Sequence, residues 1–228
     1  GQKFDVIFVY GVSPILQAIP AVLLKFLKRA ALVVWVQDLW PQSLEATGYV
    51  KSALILSLVG KVTSWIYRRC NLVLVQSLSF IEPVRALAGG RVEIAYHPNP
   101  GDLTSRMRDV RNQALSLSPG FNIVFAGNLG TAQALPTLLG AAKLLASHQD
   151  IRFVIVGSGS RSGWIKEQIE SDALGNVELV GRFPSEAMPQ IYAQSSALLV
   201  TLASSNIFDK TVPSKLATYL AAGRPIIG

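Results

Sequence analysis

Arg152-Phe-Val-Ile-Val156, followed at once by Gly157-Ser158-Gly159, is a short apolar run that stops on glycine. Asn122-Ile-Val-Phe-Ala126 runs in the same way into Gly127-Asn128-Leu129-Gly130, and Val177-Glu-Leu-Val180 into Gly181-Arg182-Phe183. Helical patterns over 136–147, 164–170 and 186–194 separate these runs, and 197–202, 213–222 and 225–227 continue the alternation. Val/Ile/Leu runs without polar alternation suit strands buried on both faces, so the pattern predicts a parallel sheet wrapped by helices.

The first half repeats the pattern. Strands are predicted at 6–10, 32–36, 72–75 and 92–95, with helices at 14–28, 51–69 and 81–87. Ser13 is expected to cap the first helix, with Pro14 at its first position. Residues 99–119 are polar and rich in turn formers, which makes them the expected linker between domains 1–98 and 120–228. Two successive α/β units place a cleft between them, with the carboxyl ends of the strands facing the ligand.

The chain has 228 residues, half of them hydrophobic and 15% charged, which excludes a largely disordered chain. Cys70 is the single cysteine, and only His97 and His148 accompany it, so neither an internal disulfide nor a Cys/His zinc cluster is expected. A reduced, cytoplasmic setting is the default reading. The formal charge is +7, and its excess lies in the first half: ten Lys and Arg against five Asp and Glu up to Pro98, then eleven against nine. Such a balance suits an anionic partner. No stacking platform or recognised motif supports nucleic acid as that partner.

Mean hydropathy is +0.37, high enough to ask for spanning helices. The uncharged stretch 6–24 is broken by Gly11, Pro14 and Pro20, and 187–208 by Pro189, two glutamines and several serines. The amino end, Gly1-Gln-Lys-Phe-Asp5, runs straight into a strand and does not resemble a signal peptide. The chain begins without Met and stops as a strand begins, so both ends are expected to be cut and both domains incomplete. Residues 51–69 combine apolar side chains, Trp65 and Tyr67 with four cations, and Lys25, Lys28 and Arg29 end the preceding helix. This pattern fits an anionic membrane face and fits equally a core helix with cationic ends.

Three glycine-edged turns at one sheet edge favour a nucleotide-type ligand, because glycine admits close approach and free N–H groups at helix starts attract diphosphate. The dinucleotide motif is not met: Gly157-Ser-Gly159-Ser-Arg-Ser-Gly163 is one residue too long, and Glu178 sits within a strand. An NAD-linked oxidoreductase is therefore the weaker alternative. There is no Walker A loop, no Gly-x-Ser-x-Gly elbow and no Asp-x-Asp pair.

Pro213-Ser-Lys-Leu-Ala-Thr-Tyr-Leu-Ala-Ala-Gly-Arg-Pro-Ile-Ile227 resembles the nucleotide-sugar signature of GT-B glycosyltransferases of family 4, the group 1 enzymes. The three glycine-edged strands resemble that family's first donor-domain strands. Gln37-Asp38-Leu-Trp-Pro-Gln-Ser-Leu44 is similar to a segment of the O-antigen and capsule subgroup, which includes N-acetylfucosaminyl transferases. The resemblance implies two Rossmann-like domains with parallel sheets facing across a cleft, the donor on the second and the acceptor mainly on the first. It further implies a retaining transfer from a UDP-sugar to a lipid-linked acceptor at the inner membrane surface, with no metal or other cofactor.

Carried over by residue, Gly127, Asn128, Leu129, Gly130, Gln133, Gly157 and Gly159 would line the diphosphate and sugar site, with Pro213, Ser214, Lys215 and Thr218 beside them. Gly181, Arg182 and Phe183 would hold the base, and Asp38 would orient the acceptor hydroxyl. Lys215 would meet the charge developing on the leaving diphosphate. Several positions depart from the family pattern. Its Arg and Lys on the first donor loop fall on Asn128 and Gln133, its Glu-x7-Glu pair on Lys210 and Thr218, and its first-domain His on Gln37. Lys210 or Lys215 is expected to supply the missing cation. These departures keep a degenerate, non-catalytic nucleotide-sugar-binding module as an alternative.

Overall fold

The computed structural model describes residues 3–46, 48, 50–101, 115–205 and 207–228. Most of the predicted linker, 102–114, lies outside them. The chain forms two compact units: Gly1–Asn99 with Ser205–Val212, and Pro100–Ser204 with Pro213–Gly228. The segment 205–212, read from sequence as part of the second domain, therefore packs with the first. Ile207 is buried in the first unit's core, and Ser77 Oγ donates to the Lys210 carbonyl at 2.8 Å.

The first unit holds a four-stranded, wholly parallel sheet in the order β1-β2-β3-β4: Val6–Gly11, Ala31–Val36, Leu72–Val75 and Glu93–Tyr96. Helices α1 (Ile19–Lys28), α3 (Ala53–Tyr67) and α4 (Ile81–Ala88) make the crossovers, and a short α2 (Gln42–Ala46) precedes α3. Each strand is laid down beside the last in one direction, so right-handed crossovers put all three long helices on the same face. Val22, Ile66, Tyr67, Val84 and the inward strand residues Val34, Val36, Val73 and Val75 form one core there. The opposite face keeps Val6, Phe8 and Tyr10 exposed. Among the described residues, the expectation of helices on both faces thus fails for this sheet. On its open side Trp35 is shielded by neighbouring rings of Phe8, Tyr10 and His97, and its Nε1–H donates to the His97 carbonyl at 2.9 Å.

The predicted helix over 14–28 begins instead as a 3-10 turn, Ile15–Ala18, with the α-helix starting at Ile19 and Pro20 in its first turn. Pro14 is extended and occupies the cap position of the 3-10 turn, so Ser13 caps nothing. Its hydroxyl is used elsewhere.

The second unit holds a five-stranded parallel sheet in the order β7-β6-β5-β8-β9: Val177–Gly181, Ile151–Val156, Phe121–Ala126, Ala197–Leu199 and Ile226–Ile227. The chain starts in the middle, winds outward through α5 (Leu135–Leu144) and α6 (Ser162–Ser171), then returns through α7 (Met188–Gln194) and α8 (Ser214–Ala222). That reversal puts helices on both faces, and the strands feed two cores. Phe125, Phe153 and Ile155 pack with α5 and α6, while Val124, Val154 and Leu198 pack with Ile191, Tyr192 and Tyr219 of α7 and α8. Strand β8 is shorter than the predicted 197–202. Ligands of such sheets bind beyond the carboxyl ends of the strands, near the point where the order reverses.

Candidate functional site

The carboxyl ends of β5, β6 and β7 are neighbours, and their loops are tied to one another through the backbone. Gly127 N–H donates to the Val156 carbonyl at 2.9 Å, Gly157 N–H to Gly181 at 2.7 Å, and Leu129 N–H to Ser158 at 3.0 Å. Glycine is required at the tightest of these joins. At Gly157 φ is +141°, and a Cβ there would lie 1.9 Å from the Gly127 carbonyl oxygen. Gly127 has φ +147°, and a Cβ on it would come within 3.2 Å of Lys215 Nζ. The three turns therefore form one continuous surface.

A cavity of about 440 Å³ opens on this surface. Its lining includes Gly127, Asn128, Gly157 and Ser158, with Arg182 and Phe183 after β7 and Met188 and Tyr192 from α7. A phenyl ring, a thioether and a phenol beside glycine backbone suit a flat heterocycle. Burial pushes the Tyr192 phenol up to about 12 and keeps it neutral.

Lys215 lies in the first turn of α8, where its charge opposes the helix dipole. Its Nζ donates to Gln133 Oε1 at 2.8 Å and sits 3.8 Å from the centroid of the buried Phe125 ring. Both partners are neutral. Burial lowers its pKa from 10.5 to about 8. An ammonium held over a glycine turn by an amide and a ring keeps its charge available to an anion. Gln133, where the resembling family carries Lys, accepts from the cation that α8 supplies.

The other sequence-predicted residues divide. Gly130 and Gln133 line a second cavity of about 290 Å³ together with Thr131, Arg161 and Trp164. Leu129 is fully buried in the α5–α6 core, so its side chain faces no ligand and only its backbone serves the loop. Gly159 is a packing residue: a Cβ there would lie 2.5 Å from the Leu129 carbonyl oxygen. Gly181 joins β7 to β6 through its carbonyl. Pro213 occupies the N-cap position of α8 and Ser214 begins it, but neither they nor Lys215 nor Thr218 is among the residues lining the two cavities. Lys210, offered as an alternative cation, groups with the first unit.

In the first unit Asp38 follows β2. Its Oδ2 accepts from Ser13 Oγ at 2.7 Å, and the Trp40 indole N–H donates to the same Ser13 oxygen at 3.0 Å. The carboxylate is thus oriented by a two-step chain that a lone sequence motif does not reveal. Among the described residues, no three His, Cys, Asp or Glu side chains gather as metal ligands would, and no helix is long and apolar enough to cross a membrane.

Sequence reading missed Tyr219, Tyr192, Met188 and Phe125. The available signal was spacing, since Tyr219 stands four residues after Lys215 and shares its side of α8.

Residues 120–228 match the family model described as Glycosyl transferases group 1. The probable glycosyltransferase WbjE of Pseudomonas aeruginosa is 23% identical over 227 residues, covering 95% of this chain. This chain spans 55% of that protein's length. Among solved structures, Anabaena Alr3699/HepE, crystallised with UDP and glucose, superposes with a TM-score of 0.73 at 16% identity, covering 98% of this chain and 58% of its own. The pneumococcal O-GlcNAc transferase GtfA, crystallised with UDP and GlcNAc, gives 0.66 at 16% identity, covering 98% of this chain and 41% of its own. These likenesses establish an α/β fold of the GT-B type.

Proposed function

We propose that this chain, whose residues 120–228 form a group 1 glycosyltransferase domain, is the part of a retaining transferase that binds a nucleotide-diphosphate sugar on its second unit. UDP is the proposed carrier and an N-acetylated sugar the proposed cargo. The crystallised complex of HepE with UDP and glucose supports the carrier by analogy, and that of GtfA with UDP and GlcNAc supports both carrier and cargo. One observation carries the reading: among the described residues, the Lys215 ammonium rests on Gly127 with neutral partners, Gln133 and the Phe125 ring.

In this reading the 440 Å³ cavity takes the base, and the Gly127 turn with Lys215 takes the diphosphate. The bond between the anomeric carbon and the β-phosphate oxygen breaks. Lys215 and the loop amides then stabilise the charge left on the diphosphate, with no metal called for. The acceptor hydroxyl's proton passes to the departing phosphate as the new glycosidic bond forms; on the first unit, Asp38, held by Ser13, is the proposed contact for the acceptor.

The acceptor we propose is a lipid-linked glycan of surface polysaccharide synthesis, on the cytoplasmic face of the membrane. The first unit supports this with exposed Phe26 and Leu27 on α1 and Leu54 and Leu58 on α3, beside Lys28, Lys51 and Lys61. Cosedimentation with anionic but not zwitterionic vesicles is the expected result, and cosedimentation with neither would remove the membrane from the account.

Isothermal titration tests the donor site. UDP should bind the chain, and Lys215→Ala should weaken it by about tenfold or more, the worth of a charge-assisted hydrogen bond. Absence of binding at millimolar UDP, or an unchanged affinity in the variant, contradicts the assignment. Thr218 at the family's acid position favours a second reading, a non-catalytic binding module. UDP binding without any transfer by the full-length parent would select it.

A further inference from the structure

Tyr219 bonds both backbone groups of one residue through its hydroxyl. It is fully buried on α8. The Ala126 N–H donates to it at 2.8 Å, and it donates to the Ala126 carbonyl at 3.2 Å. The reason lies in the ladder. Successive residues of a strand turn their backbone groups to opposite sides. Gly127 bonds toward β6, so Ala126 faces β8, but the β5–β8 pairing ends at Val124 opposite Leu198. Ala126 is left beyond the end of its neighbour, buried, with a donor and an acceptor to satisfy. The phenol takes the place of the missing strand.

Ala126 is the root of the Gly127 turn. One helix therefore acts on that turn twice, four residues apart: Lys215 puts an ammonium over Gly127, and Tyr219 pins the residue before it. Tyr219 also meets Tyr192 edge to face, 5.4 Å between centroids, and Tyr192 lines the proposed base cavity. That contact belongs to the ring, not the hydroxyl.

We infer that the Tyr219 hydroxyl is a positioning group for the diphosphate-binding turn, acting through the Ala126 backbone and not on the base. The inference rests on the donor-site reading above for its ligand, but its structural half stands without one. Tyr219→Phe removes the hydroxyl and keeps the ring against Tyr192.

In the full chain, Tyr219→Phe should speed amide exchange at Ala126 and Gly127 by about tenfold while Ile155 and Leu198 stay protected. UDP affinity should fall by about fivefold, the worth of a net hydrogen bond, with uridine affinity changed by less than about twofold. Unchanged exchange at 126–127 overturns the inference, as does an equal loss of UDP and uridine, which would mark a merely structural role. If the unaltered chain binds UDP no better than uridine, the donor-site reading fails, while the exchange result still decides whether Tyr219 sets the turn.

Discussion

Both sheets are wholly parallel, yet among the described residues the second carries a hydrophobic core on each face and the first on one. The cause is winding direction. A strand order that reverses, as at β5, sends crossovers to both faces and opens a crevice at the reversal; an order that marches β1 to β4 does neither. The glycine turns, the cavity and Lys215 all belong to the reversing sheet.

The sharpest way to break this comparison is to cut the same side chain from each sheet. Phe125→Ala, in the covered sheet, should cost about 3–5 kcal/mol. Phe8→Ala, at 54% exposure on the open face, should cost under about 1 kcal/mol by chemical denaturation. Comparable losses would mean that the first sheet's outer face is covered after all. Next in size is Gly157→Ala, which must displace the Gly127 carbonyl from a strained φ and should cost about 3 kcal/mol. The loss should appear as faster amide exchange in the second unit, with the first unit's β2 and β3 unchanged.

Lys215 sharpens the contrast through pH. With its pKa lowered from 10.5 to about 8, the folded chain lacks a proton that the unfolded chain keeps between those values. Stability of the free chain should therefore rise with pH across that window. Affinity for UDP should move the other way, falling as pH climbs through about 8, whereas uridine affinity stays level. A small effect also belongs to the first unit: Ser13→Ala leaves the Trp40 indole N–H without its acceptor and should cost about 1 kcal/mol in thermal unfolding.

The alternation of apolar runs and helices made both units legible in the sequence, because parallel strands must be continuous in Val, Ile and Leu. The glycines of three loops and Lys215 were legible too, since strand-end glycine and a cation in a helix's first turn are local signals. Winding direction was not, because single strands carry no record of their neighbours. For the same reason the packing of 205–212 on the first unit and the burial of Leu129 could not be read. Tyr219 bonds a residue 93 positions away, and nothing local marks a phenol that replaces a strand.

A crystal structure of the chain with UDP tests the central claim most directly. The account predicts the phosphates within hydrogen-bonding distance of Lys215 Nζ and the Asn128 and Gly130 amides, and the uracil against Phe183 and Tyr192. Phosphates bound away from Lys215, with its Nζ still held only by Gln133 and Phe125, would contradict it.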